Sequence, residues 1–261
     1  MKQYVVDAFA DKVFEGNPAA VCVMDQWLAD EGMQKIAIEN NLSETAFVVW
    51  ENDHYHLRWF TPGKEVDLCG HATLGTTYVL ANFYDTDAKS FVFETLSGRL
   101  VVTKRGDLYE MDFPSRMPEP IAVSHQMMDA LNGLQPLGAY LSRDLMLLLP
   151  DERSVRDFQP DWGKICAVPE GMGFLITAKA DGDEFDFVSR CFFPKIRVNE
   201  DPVCGSAHCN FVPFWAKELG KETMKAHQVS ARGGIVYCRN DKERVYLGGR
   251  AVLYSEAEIH F

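Results

Sequence analysis

The sequence lacks any long run of one residue class. No stretch approaches the ~18 consecutive apolar residues of a membrane helix, so we expect no membrane span. No run of lysine and arginine is long enough to follow a phosphate backbone, and 38 acidic residues outnumber 26 basic ones. We therefore expect no nucleic-acid partner. Charge also interrupts the first residues, Met1 to Asp7, too early for a signal peptide.

Several motifs of known chemistry are absent as well. The chain has no P-loop, no Gly-x-Gly-x-x-Gly fingerprint and no nucleophile elbow, so nothing indicates a bound nucleotide or an acyl-enzyme. Its seven cysteines are scattered without a Cys-x-x-Cys pair, which is typical of reduced thiols. These absences together predict a cytoplasmic protein that needs no nucleotide.

The segment from Glu200 to His208 is the most informative part of the chain. An extended acidic stretch ends there, and Cys204 and Gly205 open an apolar run at helical spacing. The residues of that run are Ala207, Phe211, Phe214, Trp215 and Leu219. Gly220 follows as a helix stop. Because the first turn of a helix has unpaired N–H groups, this helix start is expected to bind an anion.

The same arrangement occurs earlier in the chain. Cys69, Gly70 and His71 lead into a second apolar run at helical spacing, and an Arg-x-Phe-x-Pro motif precedes each copy, beginning at Arg58 and at Arg190. An ordered series of matches indicates an internal duplication. Since the period is far longer than a solenoid repeat, the duplication predicts two similar domains.

The fold class follows from the elements of each half. One strong central helix stands among many short strands, which predicts an α+β fold with mixed sheets wrapped around a helix. Three prolines between residues 113 and 121 mark a linker. The predicted domains are therefore 1–117 and 118–261, although the sequence also permits the last strand to return to the first domain.

Glu44 is the candidate carboxylate. It stands where a strand is expected to begin, between Leu42 and Ala46, which point to its own side of an extended chain. A carboxylate among apolar neighbours holds its proton more strongly, which suits proton transfer near neutral pH. From these neighbours alone, a solvated glutamate at a strand end is the simpler interpretation.

Cysteine and histidine near the two helix starts raise the question of a metal site, since both residue types bind zinc. Neither Cys69 and His71 nor Cys204 and His208 have the close paired spacing of a structural zinc site, so no metal is predicted. His71 follows a glycine at a helix start, where an imidazole can hydrogen-bond a bound acid or simply cap the helix.

Five segments of the chain form a characteristic ordered set. They are Phe14-Glu-Gly-Asn-Pro-Ala-Ala-Val21, Asn41-Leu-Ser-Glu-Thr-Ala-Phe47, Asp67-Leu-Cys-Gly-His-Ala-Thr73, Glu200-Asp-Pro-Val-Cys-Gly-Ser-Ala-His208 and Gln228-Val-Ser-Ala-Arg-Gly-Gly234. Taken together, these segments resemble those of the phenazine biosynthesis PhzF-like isomerases, which have the diaminopimelate epimerase-like fold. The resemblance covers essentially the whole chain and implies two domains, each a barrel-like sheet around a central helix.

The resemblance also implies roles for individual residues. Glu44 is expected to be the general acid/base of a cofactor-free isomerisation of a small carboxylate bound between the two domains. A homodimer is expected as well. The substrate-binding residues that the resemblance implies are His71, Asp201, Gly70, Gly205 and Ser206.

One position departs from the family pattern. Cys204 stands where a threonine or a similar residue is expected, and with Cys69 it recreates the two-thiol arrangement of diaminopimelate epimerase and proline racemase. Inversion at a stereocentre needs an acid and a base on opposite faces, which two thiols can supply. A two-thiol amino-acid racemase or epimerase is therefore the alternative enzyme. A non-catalytic small-acid binding protein is the alternative of a different class.

Overall fold

The computed structural model describes residues 1–260, and this part of the chain contains eighteen strands and six α-helices. The strands are β1 (Lys2–Ala8), β2 (Asn17–Met24), β3 (Glu44–Glu51), β4 (His54–Phe60), β5 (Glu65–Val66), β6 (Ser90–Thr95), β7 (Gly98–Arg105), β8 (Leu108–Pro114), β9 (Glu119–Ile121), β10 (Gly138–Leu141), β11 (Leu145–Leu148), β12 (Phe174–Lys179), β13 (Phe187–Phe193), β14 (Val198–Asp201), β15 (Thr223–Gln228), β16 (Gly234–Asp241), β17 (Arg244–Gly249) and β18 (Ala251–Glu258). The helices are α1 (Asp30–Asn40), α2 (Gly70–Phe83), α3 (His125–Ala130), α4 (Glu152–Arg156), α5 (Trp162–Ala167) and α6 (Gly205–Leu219). Among the helices of residues 1–260, none has the length and apolar character to cross a membrane.

Two compact units make up the structure. One comprises Met1–Asp112 with the segment that begins at Gly248, and the other comprises Phe113–Leu247. They divide after residue 112, whereas the sequence predicted a domain boundary after residue 117. β18 belongs to the first unit because it pairs antiparallel with β1, the return that the sequence permitted. The predicted domains 1–117 and 118–261 stay a prediction. Phe261, the last residue of the second predicted domain, lies outside the described residues.

The two units have the same strand topology. In the first unit, β1–β2, β3–β4 and β6–β7 pair antiparallel, while β2–β3 and β4–β6 pair parallel. In the second unit, β10–β11, β12–β13 and β15–β16 pair antiparallel, while β11–β12 and β13–β15 pair parallel. The short strands β5 and β14 each pair with the equivalent long strand. This repeated order confirms the predicted internal duplication and the mixed sheets.

Each unit packs its sheet against one long helix. α2 contacts β1, β2 and β3, and α6 contacts β15 and β16. Most residues of both helices are buried, so these helices supply the centre of each hydrophobic core. Gly220 ends α6 with a φ of 64°, the left-handed conformation that the sequence predicted for a helix stop.

The repeated Arg-x-Phe-x-Pro motif has a structural explanation. In an extended strand, residues two apart lie on the same face. The guanidinium of Arg58 therefore lies 5.2 Å from the ring centre of Phe60, and that of Arg190 lies 5.1 Å from the ring centre of Phe192. Each guanidinium also makes a two-pronged ion pair with a glutamate of the following short strand.

These ion pairs have matching geometry. Arg58 donates to the two carboxylate oxygens of Glu65 at 2.7 and 2.8 Å, and Arg190 donates to those of Glu200 at 2.7 and 2.9 Å. Bidentate arginine–carboxylate pairs fix both partners in one orientation. Each pair therefore fixes the strand that leads into a helix start, β5 before α2 and β14 before α6.

Pro213 lies inside α6, where it cannot donate the usual hydrogen bond to the carbonyl four residues earlier. The backbone N–H of Arg116 donates to that carbonyl, of Cys209, at 2.9 Å. An external donor thus replaces the missing intrahelical bond. This replacement explains how a buried helix accommodates proline without leaving a buried carbonyl unpaired.

Candidate active site

The first helix start lies in the first unit. α2 begins after Cys69, whose extended backbone, with φ of −146°, places it at the N-cap. The regular hydrogen bonds of the helix begin where the N–H of Thr73 donates to the carbonyl of Cys69 at 3.2 Å. The N–H groups of the preceding turn point away from the helix and are available to an anion. Gly70 and His71 belong to this turn.

Glu44 lies beside this helix start. It is the first residue of β3, and the parallel register with β2 places it next to Ala19. Its Oε2 atom is 3.2 Å from Nε2 of His71, and only 18% of its side chain is exposed. The structure therefore brings together the predicted acid/base and a predicted substrate-binding histidine.

His71 is a buried, neutral imidazole. Burial lowers its pKa from 6.5 to about 4, because the charged form loses its hydration. A neutral imidazole has one N–H donor and one acceptor nitrogen. The contact between His71 and Glu44 is thus an interaction of a neutral ring with a carboxyl group, not an ion pair at neutral pH.

Cys69 completes a three-residue cluster. Its Sγ atom is 3.5 Å from Nδ1 of His71. One donor atom from each of Glu44, Cys69 and His71 lies within 4.8 Å of the others, so the three side chains can hold a metal ion. The ring, however, presents a different nitrogen to each neighbour. That arrangement favours a chain of contacts through the imidazole over three donors converging on one ion.

The second helix start lies in the second unit, where α6 begins after Cys204. The buried side chain of Gln228 holds this turn: its Oε1 accepts a hydrogen bond from the N–H of Cys204 at 2.9 Å. The amide of Gln228 donates to the carbonyl of Asp201 at 2.6 Å. A glutamine of β15 thus fixes the loop that carries Asp201 to Gly205.

Ser206 and an arginine meet on the first turn of α6. The hydroxyl oxygen of Ser206 accepts a hydrogen bond from Nη2 of Arg143 at 2.9 Å and lies 3.3 Å from Sγ of Cys204. Asp144 holds the arginine, since its Oδ2 accepts from Nε and Nη2 of Arg143 at 3.0 and 2.6 Å. A guanidinium held by a carboxylate therefore stands beside a helix start, and its N–H donors, with those of the first turn, can bind an anion there.

Asp201 is a half-buried carboxyl group next to Cys204. Loss of hydration raises its pKa from 3.8 to about 6, although hydrogen bonds from the Cys204 thiol and the Val203 N–H act in the opposite direction. The carboxyl is therefore close to half ionised at mildly acidic pH. The neighbouring thiol acts as its hydrogen-bond donor.

The raised pKa of Asp201 makes a testable contribution to stability. Since the folded pKa lies above the unfolded one, the contribution is fully present below about pH 4 and is lost as the pH rises through about 6. The free energies of unfolding of the wild type and of Asp201→Asn are measured with urea at about pH 4 and about pH 7. We expect the free energy of unfolding of the variant, relative to that of the wild type, to be ~2–3 kcal/mol higher at about pH 7 than at about pH 4. Asp67→Asn, at an exposed position, is the control; equal shifts in the two variants contradict the assignment.

The structure places the sequence-predicted residues in two groups. Glu44, Cys69, Gly70 and His71 lie together at the start of α2, and Asp201, Cys204, Gly205 and Ser206 lie together at the start of α6. Their catalytic and binding roles stay predictions. Sequence reasoning gave no role to Arg143, which lies outside the quoted motifs, or to Gln228, which begins one of them.

Comparisons with known proteins agree with this picture. The family model described as phenazine biosynthesis-like protein matches residues 6–257. An uncharacterised isomerase of Pseudomonas aeruginosa is 47% identical over 257 residues, which are 98% of this chain and 98% of that protein. The crystal structure of a PhzF-family phenazine biosynthesis protein from Enterococcus faecalis is 50% identical and has a TM-score of 0.97, covering 100% of this chain and 99% of that one.

A more distant structure shares the fold alone. A probable proline racemase from Agrobacterium radiobacter is 10% identical and has a TM-score of 0.59, over 99% of this chain and 92% of that one. The predicted diaminopimelate epimerase-like fold is thus confirmed. Because three curated relatives at 43–47% identity over nearly the whole chain are named isomerases, the protein is an enzyme of the isomerase class. The chain belongs to the phenazine biosynthesis-like (PhzC-PhzF) family.

Proposed function

We propose that the protein moves a proton within a small carboxylate substrate, with Glu44 as the acid/base and without a cofactor. The observation that carries the proposal is the 3.2 Å contact of Glu44 with the neutral ring of His71. A neutral ring nitrogen can donate a hydrogen bond to a carboxylate without trapping it in a strong ion pair. Glu44 therefore keeps the basicity that proton abstraction requires.

A proton shift on one face of a substrate needs one group that removes the proton and returns it elsewhere. A carboxyl group does this by alternating between its two protonation states. Charge that develops on the substrate needs nearby donors that are already in place. The N–H groups of the first turn of α2, which includes Gly70 and His71, are such donors.

The second helix start supports an acidic substrate. Gly205 and Ser206 present first-turn N–H groups, and Arg143 adds a guanidinium that Asp144 holds in place. A guanidinium beside helix N–H groups favours a carboxylate over a neutral ligand. We therefore infer that the first turn of α6 binds a carboxylate of the substrate.

The two-thiol alternative also has an observation in its favour. Cys69 and Cys204 are the N-cap residues of α2 and α6, the equivalent helices of the two repeats. The groups next to the two sulfur atoms argue against the two-thiol alternative. Cys69 shares its cluster with the carboxyl of Glu44, and the thiol of Cys204 donates to the carboxyl of Asp201. Each thiol thus lies next to a carboxyl group, which can accept a hydrogen bond from its S–H.

Cys204→Thr separates the two chemistries. In the Glu44 scheme threonine keeps a hydrogen-bond donor for Asp201 at the same turn, so we expect less than about a tenfold loss of rate, below the effect of removing an acid/base. The rate is followed as deuterium incorporation from deuterated water into small carboxylates, screened as pools. A loss as large as that of an acid/base replacement, with a normal rate for the matched Cys166→Thr variant at an exposed cysteine, supports the two-thiol scheme instead.

A further inference from the structure

Cys69 is buried, with 7% of its surface exposed, and its Sγ atom contacts the ring of His71. The mechanism built on Glu44 does not use a thiol at this position. Its 3.5 Å contact with Nδ1 of His71 nevertheless determines which protonation form of the ring the cluster can accept. The hydrogen-bond donors and acceptors of Cys69, His71 and Glu44 have to match along this chain of contacts.

The neutral ring of His71 supplies one N–H and one bare nitrogen. An ionised carboxylate is an acceptor only, whereas a thiol donates weakly and accepts weakly. When Glu44 is ionised, one arrangement satisfies both contacts: the N–H is on Nε2, facing Glu44, and the bare Nδ1 accepts from the thiol. In the opposite tautomer a bare nitrogen faces a carboxylate, and two acceptors repel each other.

We propose that Cys69 is a positioning residue whose thiol donates to Nδ1 of His71 and thereby holds the tautomer with Nε2–H directed at Glu44. This inference deepens the proposed function and rests on it for its catalytic meaning. The contact of His71 with Glu44 does not have full hydrogen-bond alignment in this structure. Catalytic hydrogen bonds are commonly long or poorly aligned until substrate binds.

With this tautomer, the two carboxylate oxygens of Glu44 have different roles. Oε2 is fully buried and faces the ring, so the exposed part of the side chain lies on its other atoms. With Nε2–H on Oε2, a proton taken from substrate goes to Oε1. The ring keeps the same tautomer in both protonation states of Glu44, and no proton has to move through His71 during turnover.

The experiment reads the ring nitrogens directly. Protein labelled with ¹⁵N in its histidines is examined by long-range ¹H–¹⁵N correlation spectroscopy at neutral pH, and His71→Asn identifies the signals of His71. A protonated and a bare ring nitrogen have well-separated ¹⁵N shifts, so the tautomer is visible without substrate. We expect wild-type His71 to be the Nε2–H form.

Variants of Cys69 test the role of the thiol. Cys69→Ser keeps a donor and is expected to keep the Nε2–H form, whereas Cys69→Ala is expected to lose the preference and show averaged shifts. Cys238→Ala removes a buried thiol in β16, a strand of the second unit, and is expected to leave the His71 signals unchanged.

Three results overturn the proposal: an Nδ1–H form in the wild type, an unchanged Nε2–H form in Cys69→Ala, or the same change in Cys238→Ala. An Nδ1–H form in the wild type overturns the proposal even if a variant fails to fold, and Cys69→Ser, which keeps a donor, is a second readable variant. The readout also separates this inference from the proposed function. If the tautomers behave as expected but Glu44→Gln stays active, only the role of Glu44 is contradicted. If Glu44→Gln is inactive but the tautomers do not behave as expected, only the role of Cys69 is contradicted.

Discussion

Replacement of Glu44 by glutamine is expected to reduce the rate of deuterium incorporation into the substrate by a factor of ~10²–10⁴. Glutamine has nearly the same shape as glutamate, so the packing at the start of β3 and the contact with His71 can persist. An amide, however, cannot take up and return a proton at neutral pH. Substrate binding is therefore expected to change little, and the loss should appear in kcat rather than in KM.

Glu51→Gln is the matched control for this experiment. Glu51 is the last residue of the strand that Glu44 begins, so the same substitution is made on the same strand. An eight-residue strand places the two positions roughly 23 Å apart. We expect the wild-type rate for Glu51→Gln. A Glu44→Gln protein that melts like the wild type and keeps its rate within about twofold contradicts the assignment of Glu44 as acid/base.

Replacement of Asp144 by alanine is expected to reduce the free energy of unfolding by about 3 kcal/mol. Asp144 is fully buried. Its Oδ1 accepts from the N–H of Gly173 at 2.9 Å, and its Oδ2 accepts twice from Arg143. Alanine leaves a buried N–H and a guanidinium without these partners. Because 32% of the Arg143 side chain is exposed, water offsets part of the loss, and we expect a value at the lower end of the usual range for a broken buried pair.

The measurement is urea unfolding of the wild type, Asp144→Ala and a surface control. Asp129→Ala is the control, because Asp129 pairs with Lys164 at 3.0 Å while both side chains stay more than a third exposed. Such exposed pairs contribute no more than about 1 kcal/mol. Equal losses in the two variants contradict the buried role of Asp144. Asp144→Asn, which keeps an acceptor for Gly173, is expected to fall between wild type and alanine.

The duplicated fold was predictable because its signals are local. The Arg-x-Phe spacing places a guanidinium and an aromatic ring on one strand face, and the Cys-Gly steps mark helix starts; both depend on residues that are neighbours in sequence. The pairing of β18 with β1 joins the two ends of the chain, and short-range patterns carry no information about it. The sequence permitted this pairing without predicting it.

The site was predictable to a similar extent. Glu44, His71, Gly205 and Ser206 lie in motifs that the sequence displays. Arg143, by contrast, reaches Ser206 across 63 residues of chain, and in sequence it stands in an ordinary turn. The neutral state of His71 follows from its burial. Burial is a property of the packed structure, and the residues next to His71 in the sequence do not reveal it.

The central claim is that one carboxyl group, Glu44, removes and returns the same proton, and an isotope-transfer experiment tests it most directly. The substrate found in the carboxylate screen is labelled with deuterium at the position that exchanges and is converted in ordinary water under single-turnover conditions. Because one group carries the proton, we predict that a measurable fraction of the deuterium appears at the new position in the product. Complete loss of the label to water, with inversion at the original carbon, contradicts the account and is the result expected of Cys69 and Cys204 acting on opposite faces.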